Sequence, residues 1–101
     1  MTDKRKHVIL DSAIGTYGIE HQEDKCIEEM SELTKAILKY RHAENESEKQ
    51  AIHDNVIEEI ADVQITLNQM KIVFGDTQSQ EEYKLTRLWA RIGAKNETNP
   101  I

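Results

Sequence analysis

Residues 48–74 read EKQAIHDNVIEEIADVQITLNQMKIVF, and the reading of this stretch decides the fold. It contains no proline or glycine and is closed by Gly75. Its apolar residues Val56, Ile60, Val63, Leu67 and Met70 recur every three or four positions, the period of one helix face and not of a strand. At 1.5 Å per residue such a helix is about 40 Å long, more than a compact globule of this chain length is wide. Its apolar stripe therefore runs past its own subunit, and the sequence predicts an oligomer.

Working outward, the other glycines, at 15, 18 and 93, and the lone Pro100 cut the rest of the chain into helix-sized pieces. The expected elements are a first helix over about residues 4–15, a turn at GTYG, and a second helix over about 20–43. The polar run AENESEK forms the next loop, with Ser47 as N-cap of the third helix. Ser79 and Glu82 make a capping box at the start of a fourth helix that ends near Gly93. Nothing alternates with period two long enough to make a sheet. The predicted fold is all-α: an antiparallel bundle of about four helices, its core completed by oligomerisation, with residues 1–93 as one domain and 94–101 as a disordered tail.

The chain of 101 residues is small enough that a partner subunit would help to bury its apolar surface. Charged residues make up 32% of it, 13 basic against 19 acidic, for a net charge of -6. That balance excludes a binder of nucleic-acid polymers, which needs a basic field, but not a binder of free nucleotides, because metal ions mediate between carboxylates and phosphates. The single Cys26 allows no internal disulfide. The apolar run after the basic start is too short for a signal peptide, and no stretch reaches membrane-spanning length. A cytoplasmic protein with no membrane partner is the expectation.

The chemistry lies in a duplicated phrase, IEEMSEL at 27–33 and IEEIADV at 57–63. Winding each helix at about 100° per residue puts Cys26, Leu33, Ile37 and Tyr40 in one stripe with Glu29 and Glu32 along its edge. On the third helix Glu59 and Asp62 hold the equivalent edge. Packed side by side, the two helices bring four carboxylates together at the border of an apolar core, an arrangement that repels itself unless a cation compensates. Hard oxygen ligands without nearby His or Cys favour Mg²⁺, with Mn²⁺ as substitute. Glu28 and Glu58 point further from the stripe and rank lower.

These residues resemble the MazG-like all-α nucleotide pyrophosphohydrolases, whose signature is EExxE followed downstream by ExxD. Here EEMSE supplies Glu28, Glu29 and Glu32, and EIAD supplies Glu59 and Asp62, with 26 residues between Glu32 and Glu59. The surrounding phrases YGIEHQEDKCIEEMSELTKAILKY, IEEIADVQITLNQMKI and EYKLTRL are similar to short phage-type and bacterial members, so the resemblance covers roughly residues 15–92. It implies a dimeric or tetrameric helical enzyme that cleaves a nucleoside triphosphate, with a deoxynucleotide as the expected form, between its α and β phosphates. The products are a nucleoside monophosphate and pyrophosphate, formed by attack of water activated by bound Mg²⁺. The metal ligands it implies are Glu29, Glu32, Glu59 and Asp62, with Glu28 or Glu32 orienting the water or taking its proton.

Substrate contacts come from residues near these motifs. Tyr17 is placed to stack on a base and Gln22 to bond its edge. Lys25 lies at the mouth of the site, and Asn68 two turns beyond Asp62. The basic side of the fourth helix, Lys84 and Arg87, is placed to reach the triphosphate from a neighbouring subunit; Lys71 is a further basic candidate. A di-iron carboxylate bundle is disfavoured because no histidine follows a glutamate by three positions. The alternative reading is a non-enzymatic helical interaction module with a solvated acidic face.

Overall fold

A computed structural model describes residues 1–98. Among these residues the protein is all-helical, with four helices and no strand: α1 (Asp3–Tyr17), α2 (Ile19–Arg41), α3 (Glu46–Phe74) and α4 (Gln78–Thr98). Among the described residues no helix is long and apolar enough to cross a membrane.

The boundaries follow from local hydrogen bonding. Thr2 caps α1, its hydroxyl accepting from Arg5 N at 3.1 Å. Only Gly18 separates α1 from α2, and its φ of +95° is a conformation that a side chain would strain. Gly75, with φ +127°, closes α3 by donating its N–H to the Lys71 carbonyl at 2.9 Å. The cap of α3 is Asn45, not the expected Ser47. Asn45 is extended, and its Oδ1 accepts from Glu48 N at 2.9 Å, while Glu48 Oε2 accepts from Glu44 N at 3.0 Å. The reciprocal pair leaves Ser47 inside the first turn. Asn45→Ala is expected to cost about 1 kcal/mol, seen as a melting temperature lower by roughly 4–8 °C.

The expected cap of α4 also moves. Thr77 O accepts from Glu81 N at 2.9 Å, and the Thr77 hydroxyl donates to the Glu81 carboxylate, so Ser79 lies within the helix. Gly93 lies inside α4 as well, which an interior glycine permits at a cost of about 1 kcal/mol. Residues 94–98, expected in a tail, continue the helix; residues 99–101 fall outside the described ones.

The centre of the molecule is the antiparallel α2–α3 hairpin, paired from Gln22 with Gln69 at one end to Tyr40 beside His53 at the other. Its buried apolar residues are Cys26, Ala36 and Val63, joined by the buried polar side chains of Gln22, Thr66 and Gln69. These positions, with half-buried Leu33, Ile52 and Val56 between them, draw one seam on each helix at spacings of three and four. The first turns of α1 lean on the second half of α3, where Ile9 and Leu10 line a cleft with Ala61 and Ile65.

No part of the α4 backbone comes within packing distance of the other three helices. An ion pair between Lys71 and Glu81, 3.7 Å, ties down its start, but Leu85, Leu88, Trp89 and Ile92 are exposed, Trp89 by 75%. The expected four-helix bundle is thus three helices with the fourth standing off. The radius of gyration is accordingly 17.9 Å, against about 13 Å for a compact domain of this length. Ile37, Tyr40, Ile60 and Leu67, expected in the core stripes, are also exposed, because each helix carries a second apolar face that the hairpin does not cover.

Candidate metal site

The seam on each helix contains one acid. Glu29 follows Cys26 and precedes Leu33 on α2; Glu59 follows Val56 and precedes Val63 on α3. Both are partly buried, the Glu29 side chain keeping 13% of its exposure. Asp62, one turn after Glu59, reaches the same place from the solvent side. Carboxylate oxygens of Glu29, Glu59 and Asp62 all lie within 4.8 Å of one another. An octahedral Mg²⁺ with bonds of about 2.1 Å holds adjacent ligands about 3 Å apart, so small side-chain rotations close the three oxygens on an ion. Three hard carboxylates without nitrogen or sulfur therefore fit Mg²⁺ or Mn²⁺. Carboxylate groups at helix edges also occur without an ion; this triad differs from them in drawing on two helices at their seam.

The electrostatics show the cost of the arrangement. The Glu59 carboxyl is held above its usual 4.5, first by burial between the helices and then by the charges of Asp62, Glu29, Glu32 and Glu58. Lys25 partly compensates: its Nζ lies 3.4 Å from Glu29 Oε1 and 3.9 Å from Glu28 Oε1. Its own pKa is raised above 10.5, chiefly by the bond to Glu29, then by the charges of Glu28 and Glu29 and, more weakly, Asp62. A carboxyl raised in the folded state favours folding below its unfolded value and loses that contribution as pH rises through the folded one. In EDTA Glu59 is therefore expected to add to the melting temperature near pH 4 and not near pH 8. Thermal melts should show this difference reduced in Glu59→Gln and in wild type with Mg²⁺.

Glu32 and Glu28 lie outside the triad. The Glu32 side chain is 46% exposed and bonds Lys35 at 3.3 Å, although its charge still acts on Glu59. Glu28 is 63% exposed and faces Lys25.

The residues expected to hold substrate are dispersed. Gln22 is buried, its Nε2 donating to Gln69 Oε1 at 2.9 Å and its Oε1 2.8 Å from His21 Nδ1, so its amide joins α2 to α3 and has little to offer a base edge. Gln69 and Thr66, the latter donating to Val63 O at 2.9 Å, were not singled out in the sequence; their period from Glu59 and Asp62 is the only signal for them. Tyr17 stacks on His21 with centroids 5.4 Å apart. Asn68 accepts from Gln64 Nε2 at 3.1 Å and lines, with Lys6, His7 and Lys71, a cleft towards α1 that contains none of the triad. Lys84 and Arg87 are carried on α4, away from the acids in a single copy; the Arg87 guanidinium lies 5.6 Å from the Tyr83 ring centre. Of the proposed substrate contacts, Lys25 and Gln22 stand beside the triad, Gln22 with its amide bonded to Gln69 and Lys25 with its ammonium at Glu29. Both line, with Glu29, Asp62, Thr66 and Gln69, a cleft of about 160 Å³.

No protein-family model, curated protein or solved structure matches this chain.

Proposed function

We propose that the protein is a Mg²⁺-dependent nucleoside triphosphate pyrophosphohydrolase of the MazG-like kind, releasing pyrophosphate and a nucleoside monophosphate. The observation that carries this reading is the meeting of Glu29, Glu59 and Asp62 within 4.8 Å across two antiparallel helices, on residues that match the EExxE and ExxD spacing. Bound there, Mg²⁺ would neutralise phosphate oxygens and lower the pKa of the attacking water. Glu29, Glu59 and Asp62 would hold the ion. Glu32, exposed and one turn from Glu29, is free to rotate towards it as a fourth ligand or to accept the water's proton, with Glu28 as the alternative acceptor. Lys25 offers positive charge to the phosphates.

The cleft of about 160 Å³ takes a metal and a phosphate group but falls short of the roughly 300–1,000 Å³ of small-molecule sites. Base and sugar then need walls from a second copy, in a homodimer or homotetramer. The exposed apolar residues of α2, α3 and α4 support such an assembly, and it would let the basic face of a partner's α4 approach the triphosphate. A cytoplasmic setting suits both a nucleotide substrate and an unpaired, buried Cys26.

The test is pyrophosphate release from a panel of canonical and modified ribo- and deoxynucleoside triphosphates, with Mg²⁺ and with EDTA. Mg²⁺-dependent release from any of them supports the reading. No release, together with no carboxylate-dependent Mg²⁺ binding by calorimetry, would leave the interaction module with a solvated acidic face.

A further inference from the structure

We propose that Lys25 is a resident counter-cation of the acid site, which competes with the metal for Glu29 and, once displaced, turns to the phosphates of the substrate. The proposal rests on the metal-site reading above and adds to it an order of events.

Among the described ion pairs, Lys25–Glu29 is the one that reaches the triad. A helix-stabilising role explains it poorly. A lysine four residues before a glutamate is the weaker orientation of such a pair, opposed by the helix dipole. What favours the contact is the local field: the Lys25 ammonium sits between Glu28 and Glu29, with Asp62 across the seam. Three carboxylates within 4.8 Å repel unless positive charge is near, and in the metal-free protein Lys25 supplies it.

A divalent ion ligated by Glu29 would stand close to the ammonium, and the two cations would repel. The surroundings decide which side moves. Gln22 and Gln69 are buried and hydrogen-bonded to each other, and Glu29 is packed in the seam. The Lys25 side chain is 46% exposed, on a flexible four-carbon stem. Lys25 therefore yields. It remains on the lip of the same cleft, where a metal-bound triphosphate brings oxygens that need a further cation. Glu29 then exchanges one cationic partner for another, and Lys25 exchanges a carboxylate for a phosphate.

Calorimetric titration with Mg²⁺ and steady-state kinetics on three variants test this. Lys25→Met, which keeps the aliphatic stem, is expected to bind Mg²⁺ roughly fivefold more tightly than wild type, the scale of a lost exposed ion pair. It should also show a raised KM for the nucleoside triphosphate. Lys25→Arg keeps the charge and should stay near wild type in Mg²⁺ affinity. If Lys25→Met binds Mg²⁺ no more tightly than wild type while Glu29→Gln loses binding, the competition is wrong and the metal site stands. Tighter Mg²⁺ binding with an unchanged KM removes the handover to phosphate. Wild-type Mg²⁺ affinity in Glu29→Gln, or no binding in any form, overturns the metal site and the proposal together.

Discussion

Asp62→Asn is expected to lower Mg²⁺-dependent pyrophosphate release by on the order of a thousandfold or more, since several kcal/mol of charge stabilisation at the phosphates depends on the bound ion. The same substitution is expected to leave the metal-free fold intact or slightly more stable. Asp62 is exposed, and its charge is the largest electrostatic contribution, after burial, to the raised pKa of Glu59. Removing it relieves repulsion within the triad. The two effects have opposite signs, which separates a site acid from a structural one. Melting temperatures in EDTA and in Mg²⁺ check it: wild type should gain from Mg²⁺ and Asp62→Asn should not. A clear loss of stability in EDTA would show instead that Asp62 has a structural partner. Glu32→Gln is the informative companion. Because Glu32 lies outside the triad, its variant should keep measurable Mg²⁺ binding while losing turnover.

Trp89→Glu is expected to convert the proposed oligomer to monomer, with association weakened about thirtyfold or more, the effect of losing one tryptophan that the assembly would bury, worth at least about 2 kcal/mol. Among the described residues three apolar side chains are buried, whereas Ile27, Met30, Ile57, Ile60, Phe74 and, on α4, Leu85, Leu88, Trp89 and Ile92 are exposed. Exposed apolar surface of that extent is what the proposed assembly would cover. Sedimentation at several concentrations tests this: wild type as dimer or tetramer and the variant as monomer is the expected result, and a wild-type monomer at tens of micromolar would overturn it. Turnover should fall with association if the base and sugar lie against a second copy.

Much of the local structure was legible along the chain. The period of Val56, Ile60, Val63 and Leu67 marks a long helix, and Gly75 stops it where the helix ends. The caps were harder to read, because Asn45 and Ser47 are both good N-caps and the choice depends on the reciprocal bond of Glu48. The acids were legible in kind and spacing, but not in standing. A helical wheel put Glu29 and Glu32 on one edge as equals, whereas docking of α2 against α3 draws Glu29 into the seam and leaves Glu32 in solvent with Lys35. Each helix carries two apolar faces, and nothing local says which one the hairpin uses. Gln22 illustrates the same limit: its partner Gln69 is 47 residues away, so its burial could not be foreseen from its neighbours.

The sequence by itself determined that the chain is helical, approximately where each helix starts and stops, and that hard oxygen ligands recur on two of the helices. These properties depend on contacts within about four residues, which the order of side chains specifies directly. Tertiary structure decided that Glu29, Glu59 and Asp62 meet, that Lys25 partners Glu29, and that α4 stands apart with its apolar face open. The physical reason is that a meeting between helices depends on their crossing angle and register, and these are set by how all the seam side chains pack at once.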